Sequence, residues 1–562
     1  MIDCEPRLLE ARRGFSLSYL GKTLLSLFDP IAQADRVVHS VARRGKTLYF
    51  CPSPLFGYGL ETLLAETSDD SAVLCVESDE KLMAASLSKF DPALLDAPRC
   101  AFVQSDDPTA VCAFVRSRWG ARAFRRVEVV RLSGGWMLAE RDYEAMFEAL
   151  RADIAVHWAN AMTLVRLGRR YALNAARNLA LLPRATALDK VNYDGRPLLV
   201  FGAGPSMDAL ADRLELSEYR SATGRPFRIL CVDTSLTALL ARGIQPDIVV
   251  ALEAQHWNLR DFVGASRAAR PLALDLSAHP DTAEAAGGRI ILFATRWTRL
   301  RFLDRLEEAG LLPPELPPLG SVGLTAVAVA LKLTGGTVVF AGLDFSYTPD
   351  AYHARSTPSR DERLRRCNRL SSLIDPAPAF RTHVSPVQAK GGGTVRSDPA
   401  LRGYRDLFRR EFASTGRLLD AGTSGLDLDV PLIDVEAALA QLAAEGNAAR
   451  QEKPGPVLDP ITDRPADDRA ERAARILAFV DAELDRLRRL RNALSGAESA
   501  AGAEIDLLVD ECDYLWAHFP ECAAADGKRP PLTNLSFLKR VRAEIEPFAK
   551  AFTLARQELE LF

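Results

Sequence analysis

Four apolar residues, Leu198-Leu199-Val200-Phe201, run directly into Gly202-Ala203-Gly204-Pro205-Ser206. A continuous apolar run closed by glycines suits a strand buried on both faces, as parallel strands covered by helices are. Glycine lets a ligand approach the backbone closely. Pro205 fits the first turn of a helix, where a missing N–H costs little. Ser206 can cap that helix or offer a hydroxyl. The N–H groups at such a helix start form an anion site. The segment therefore predicts a strand, a phosphate-cradling turn and a helix. It lacks the Gly-Lys-Ser/Thr of a Walker loop and the third glycine of the dinucleotide fingerprint. A tight turn without a ligand is the competing reading.

The pattern recurs. Arg228 to Val232 is a second apolar run, ending in Asp233-Thr234-Ser235. A helical stretch from Leu236 to Arg242 and the turn Gly243-Ile244-Gln245-Pro246-Asp247 follow. A third strand runs from Ile248 to Glu253. Further on, Gly320-Ser321-Val322-Gly323 opens an Ala/Val-rich helix reaching Leu333. The strand Thr337 to Ala341 then ends in Gly342-Leu343-Asp344-Phe345. Strands alternating with helices predict a parallel sheet, and polar strand ends gather at its carboxyl edge, where ligands bind.

These linked segments resemble the motility accessory factor (Maf) glycosyltransferases. Two flanking segments share the likeness: Thr163 to Gly168 with Asn174 and Asn178, and Ala421-Gly422-Thr423-Ser424-Gly425. The resemblance runs from about residue 10 to about residue 430, and its weight lies in the order of the motifs. It implies a central domain similar in fold to bacterial sialyltransferases. It also implies transfer of a nonulosonic, sialic-acid-like sugar from a CMP donor to Ser or Thr of flagellin. No separate cofactor is implied, since the CMP-sugar is a substrate.

The expected fold class is α/β. Residues 1–142 read as a Rossmann-like domain, 143–196 as a helical connector, 197–446 as the central transferase-like domain and 447–562 as a helical C-terminal region. In the first part, Thr47 to Cys51, the turn through Gly57 and Gly59, a helix from Leu60 and the strand Ala72 to Glu77 form a Rossmann-like half. Pro52 and Pro54 crowd that turn, which favours a packing domain over a nucleotide site at Gly57 and Glu77. Tyr143 to Leu182 reads as helix, Asp350 to Gly393 as an irregular lid, Gln451 to Pro465 as a linker and Asp467 to Ser495 as a charged amphipathic helix.

Composition narrows the function classes. A net charge of −3 over 562 residues gives no reason to expect nucleic acid as a partner. No apolar stretch approaches the roughly 18 residues of a membrane span, and the N-terminus does not read as a signal peptide. Nine cysteines without paired spacing predict a reduced, cytoplasmic protein, with Cys51, Cys75, Cys100 and Cys231 as small buried side chains. No metal site is expected, because His and Cys clusters and a strand-end Asp-x-Asp pair are missing from the central domain.

Glycosyl transfer needs a nucleotide cradle, charge relief at the departing phosphate and a base for the acceptor hydroxyl. The cradle is assigned to Gly202, Ala203, Gly204, Pro205 and Ser206. Asp233, Thr234, Glu253, Gly320, Ser321 and Gly342 are expected around the donor, and Thr423 and Ser424 over the phosphate. Helix capping or turn formation is the bland alternative for Asp233 and Glu253. His353 is the expected base, since its ordinary pKa suits proton transfer near neutrality; His383 is second and Asp344 the carboxylate alternative. Arg381, Lys390 and Arg396 can neutralise the leaving phosphate. Two other functions compete: a pterin pyrophosphokinase-related enzyme using ATP and Mg²⁺, and a non-catalytic scaffold that keeps the fold.

Overall fold

The computed structural model describes residues 5–265, 270–372, 383–452, 466–495, 502–524 and 527–562. The chain packs as two compact units. One comprises Met1–Arg166 with Ala517–Pro531, the other Leu167–Trp516 with Leu532–Phe562.

In the first unit an antiparallel meander (Arg7–Glu10, Phe15–Tyr19, Lys22–Thr23) precedes a parallel sheet. Its strands are β1 (Thr47–Pro52), β2 (Ala72–Glu77), β3 (Cys100–Gln104) and β4 (Arg126–Val129), in the order β3-β2-β1-β4. Every residue of β1 and β2 is buried, as unbroken apolar runs require when helices cover both faces. The turn after β1 is a packing device. A Cβ on Gly57 would lie 2.7 Å from the Phe90 ring. The buried Glu77 carboxylate is spent on Ser53 Oγ (2.6 Å), Tyr143 OH (2.9 Å) and the Asp79 N–H (3.1 Å). Both oxygens of that carboxylate are thus engaged within the protein.

The second unit is built on a parallel sheet of β5 (Leu198–Phe201), β6 (Arg228–Val232), β7 (Ile248–Ala251), β8 (Leu272–Asp275), β9 (Ile290–Thr295), β10 (Glu315–Leu316), β11 (Val338–Ala341) and β12 (Leu418–Asp420). Their order is β10-β9-β8-β7-β6-β5-β11-β12, and the short strand Thr186–Ala187 pairs with β9. Strands β5 to β10 succeed one another outward; β11 then returns to the other side of β5. The crevice between β5 and β11 is thus the topological switch point of the sheet, where ligands of open α/β folds bind. The helix Val322–Leu333, apolar on nearly all sides and largely buried, lies across β5, β6, β7 and β11. Phe408 of the helix Pro399–Phe412 packs on Phe340 of β11, with ring centroids 5.4 Å apart.

The stretch expected to be irregular carries regular structure. Pro358 begins a helix to Arg366, and Ser385–Gln388 pairs with Thr394–Ser397 as a hairpin. Gly392 and Gly393, at φ +89° and +78°, supply the left-handed residues of its turn. Of the expected linker, residues 453–465 lie outside the described residues, as does Arg381.

The helix Glu140–Asn178 starts in the first unit and ends in the second. The helices Ala466–Ser495 and Leu535–Leu559 pack on each other. Arg305 of the helix Arg301–Glu308 grips the fully buried Glu483 with two hydrogen bonds, 2.8 and 3.0 Å. Cys51, Cys75, Cys100 and Cys231 are free, buried thiols. No helix among the described residues is long and apolar enough to cross a membrane.

Candidate functional site

At the switch point the two strand-end turns interlock. The Gly202 N–H donates to the Ala341 carbonyl (2.8 Å) and the Gly204 N–H to the Gly342 carbonyl (2.9 Å). A Cβ on Gly202 would stand 2.3 Å from the Gly342 oxygen, and one on Gly204 2.7 Å from the Asp344 carboxyl. Neither residue has a positive φ. Glycine is needed here because the second turn occupies the space of the missing side chains. Gly342 itself sits at φ +81°.

The anion expected at the helix start is supplied by the chain. The Ser206 N–H donates to Asp344 Oδ2 (2.9 Å), the Ser206 hydroxyl donates to Asp344 Oδ1, and the Gly342 N–H donates to Ser206 Oγ (3.1 Å). Ser206 therefore makes no side-chain cap, and the helix begins at Met207, two residues beyond Pro205. Of the two roles read for Ser206, hydroxyl donor is the one seen, while the helix starts later than a Pro205 in its first turn would have it. Three of the cradle's N–H groups, those of Gly202, Gly204 and Ser206, are satisfied internally, so backbone donation to a phosphate is confined to the remainder of the turn.

Beneath this turn lies a buried charged cluster. Lys390 Nζ meets Asp420 Oδ2 at 2.5 Å, with both side chains at most 2% exposed. Asp420 Oδ1 accepts the Gly422 N–H at 2.8 Å. A Cβ on Gly422 would approach Ser206 Oγ, Asp420 Oδ1 and Lys390 Nζ within 2.9 Å. The loop of Gly422 to Gly425 closes on Asp344: the Leu426 N–H donates to the Asp344 carbonyl (2.9 Å), and a Cβ on Gly425 would lie 2.7 Å from Asp344 Cα. Burial pushes the Asp344 carboxyl up to about 6; the Ser206 hydrogen bonds and Lys390 act against it, while Asp420 adds to it. Burial also raises Asp420, against the pull of Lys390.

Next to β5, the N-terminal end of the helix Asp233–Ala241 holds a second acidic group. Asp233 Oδ1 accepts the Thr234 N–H (2.8 Å), and Thr234 Oγ1 donates to Asp261 Oδ2 (3.1 Å). Burial, with the charge of Asp261 second, lifts Asp233 to about 7. Ser235 Oγ donates to the Phe201 carbonyl (3.2 Å), joining this turn to the glycine turn. Glu253 is exposed and accepts the Gln255 N–H (2.9 Å), the turn-forming role that was its bland reading. At the end of β8, the fully buried Asp275 accepts from the Ser277 N–H (2.7 Å), Ser277 Oγ (2.5 Å) and Thr295 Oγ1 (2.8 Å).

Gly320 is left-handed, at φ +67°, and a Cβ there would lie 3.3 Å from the Tyr404 ring. Ser321 occupies the N-cap position of its helix without making a cap bond. Leu343 wedges between the turns: its Cδ2 would be 2.7 Å from a Cβ on Gly202 and 2.6 Å from one on Gly323. Thr423 is exposed and Ser424 partly so, while the Thr423 carbonyl would be 2.1 Å from a Cβ on Gly391. His353 is half-buried, with Nδ1 2.8 Å from Ser359 Oγ. The next residue, Ala354, donates its N–H to the Ala203 carbonyl (2.9 Å), which brings His353 to the glycine turn. His383 is exposed at φ +61°; among its contacts is the Arg402 guanidinium on its carbonyl, at 3.5 Å. Arg396 is exposed and pairs through its backbone with Tyr347.

Asp420, Asp261, Asp275 and Tyr404 escaped the sequence reading. Asp275 and Asp420 close short apolar runs, Leu-Ala-Leu-Asp and Leu-Leu-Asp, the same signal that marks Asp233. Asp261 sits in a short 3₁₀ stretch, His256–Phe262, which has no comparable pattern.

Residues 169–350 match the family described as 6-hydroxymethylpterin diphosphokinase MptE-like. A protein of Treponema pallidum (strain Nichols), described only as uncharacterized, is 29% identical over 571 residues, 99% of this chain and 96% of that protein. The solved structure of the MAf glycosyltransferase from Magnetospirillum magneticum AMB-1 superposes with a TM-score of 0.52 at 15% identity, covering 99% of this chain and 90% of that one. The chain thus has the α/β fold of a Maf glycosyltransferase along nearly its whole length.

Proposed function

We propose that the protein is a glycosyltransferase that moves a nonulosonic sugar from a CMP donor to Ser or Thr hydroxyls of flagellin in the cytoplasm, in support of flagellar assembly. The observation that carries this is the whole-length likeness to a Maf glycosyltransferase. A pterin or nucleotide kinase needs no such flanking parts, whereas a protein acceptor calls for extended surface.

In this reading the donor lies in the crevice between β5 and β11. The Gly320-Ser321 helix start, with its uncommitted capping hydroxyl, faces its anionic groups. Thr423 and Ser424 close over it. Lys390, its charge already balanced by Asp420, holds the Gly422 loop beneath the donor instead of meeting the departing phosphate. Asp344 positions rather than reacts, because both of its oxygens are held by Ser206. His353 takes the acceptor proton, steadied by Ser359.

His353→Ala is expected to retain CMP binding and to lose transfer by about 10²–10⁴-fold, the usual worth of a general base. His383→Ala is expected to be mild. Calorimetry with CMP and a flagellin transfer assay separate the two effects; full activity in both single variants and in the double variant would remove histidine from the mechanism.

The family match over residues 169–350 favours one other reading, a pterin diphosphokinase-like activity. ATP binding that requires Mg²⁺, with no binding of CMP, would establish it instead.

A further inference from the structure

The sheet of the first unit has its own switch point. Strands β1, β2 and β3 succeed one another to one side, and β4 returns to the other side of β1. At the carboxyl ends of β1 and β4 lies a cavity of about 470 Å³, within the usual range for small-ligand sites. Phe50 and Pro52 of β1 and Val129 of β4 line it, facing Trp136 and Phe147. The Gly57–Glu77 turn is not part of this lining.

One wall carries charge of a single sign. Glu140, Glu144 and Glu148 all line the cavity and stand four residues apart on the helix Glu140–Asn178, so they share one face. Glu148 also pairs with Arg151 (3.1 Å). Arg131 is the one basic residue of the lining, and its guanidinium lies over the Trp136 ring, 4.3 Å from the centroid. Trp136 thus already receives a cation on its face. A phosphate or carboxylate ligand would meet three carboxylates, one of them already paired with Arg151, against the Arg131 guanidinium; a cation would be drawn in.

We propose that this cleft is a second ligand site, separate from the glycine-turn crevice, and that it takes a small organic cation with an aromatic or aliphatic body. The body would fill the space between Phe50, Val129, Trp136 and Phe147, and the cationic head would lie along the glutamate face. Neither the transfer reaction nor the donor is involved, so the proposal stands or falls independently of the function assigned above.

The test is calorimetry on the full chain with phenethylammonium, 2-phenylethanol and 3-phenylpropionate, which share a body and differ in charge. Phenethylammonium is expected to bind saturably, at least tenfold more tightly than the other two and more weakly as salt rises. Glu140→Gln/Glu144→Gln/Glu148→Gln, confined to exposed side chains, is expected to weaken the ammonium at least tenfold and to leave the alcohol unchanged. Equal binding of the three probes, absence of saturable ammonium binding, or binding untouched by the triple variant would each overturn the proposal. Phe147→Ala serves as a second variant and should weaken all three probes alike.

Discussion

A residue's type is decided here by what stands in the space around it. Gly204 has an ordinary backbone, yet any side chain there would meet the Asp344 carboxyl at 2.7 Å. Gly204→Val should therefore cost on the order of 2–4 kcal/mol of stability, because the interlocked turns must part. Urea denaturation without any ligand checks this; a variant as stable as the native chain that merely lost nucleotide binding would show that the glycine serves the ligand instead. Asp233 makes the complementary case for charge. Its carboxyl is raised from 3.8 to about 7 on folding, so the folded state holds the proton more tightly than the unfolded state. Between those values the folded state binds more protons, and stability falls as pH rises through the window. Asp233→Asn keeps an oxygen for the Thr234 N–H and removes the charge facing Asp261. It should stabilise the protein by on the order of 1–3 kcal/mol at pH 8 and by much less at pH 4. Paired urea melts at the two pH values measure the difference.

Elements owe their placement to a few side chains with backbone partners far away. Asn174 Nδ2 donates to the carbonyls of Ala254 and Ser277, both at 3.0 Å. One turn later, Asn178 Nδ2 donates to those of Leu276 and Ala278, both at 2.8 Å. The end of one long helix thus holds the loops that follow β7 and β8. These asparagines stood out in the sequence only through a family likeness; the structure gives them a physical task. Each alanine variant strands two buried carbonyls and should cost about 1–3 kcal/mol. Hydrogen exchange should then quicken in the loops at 254 and 276–278 before it does in β5. Uniform quickening across the sheet would argue against a local clamp.

Across the whole molecule, sequence order and spatial grouping diverge. The C-terminal helices belong to the unit of the central sheet, while Ala517–Pro531 belongs to the first unit. Glu483 supplies the buried partner of Arg305. A chain ended at residue 446 leaves that guanidinium unpaired and deprives both units of packed residues. It should therefore melt lower in both units, or fail to accumulate in soluble form, as thermal scans and soluble yield would reveal. A truncated chain with the native melting profile would show that the last hundred or so residues are an appendage.

Periodicity and turn chemistry were enough for the strand–helix alternation, the parallel character of both sheets and the strand ends at Phe201, Val232 and Ala341, because those are properties of neighbouring residues. The strands β8, β9 and β12 carry the same kind of apolar run but were hidden among less distinctive turns. Local pattern could not say what the glycines of Gly202 to Ser206 are for. Their occupant, Asp344, lies 138 residues from Ser206 in the chain, and Lys390 finds Asp420 thirty residues away. Such pairs come together only when β11 returns beside β5 and β12 beside β11. Only the assembled sheet could therefore decide that the anion at the helix start belongs to the protein, and that Asp233 faces Asp261. Burial then moves both carboxyls upward, since desolvation is a property of the packed volume around a charge and not of its neighbours in sequence.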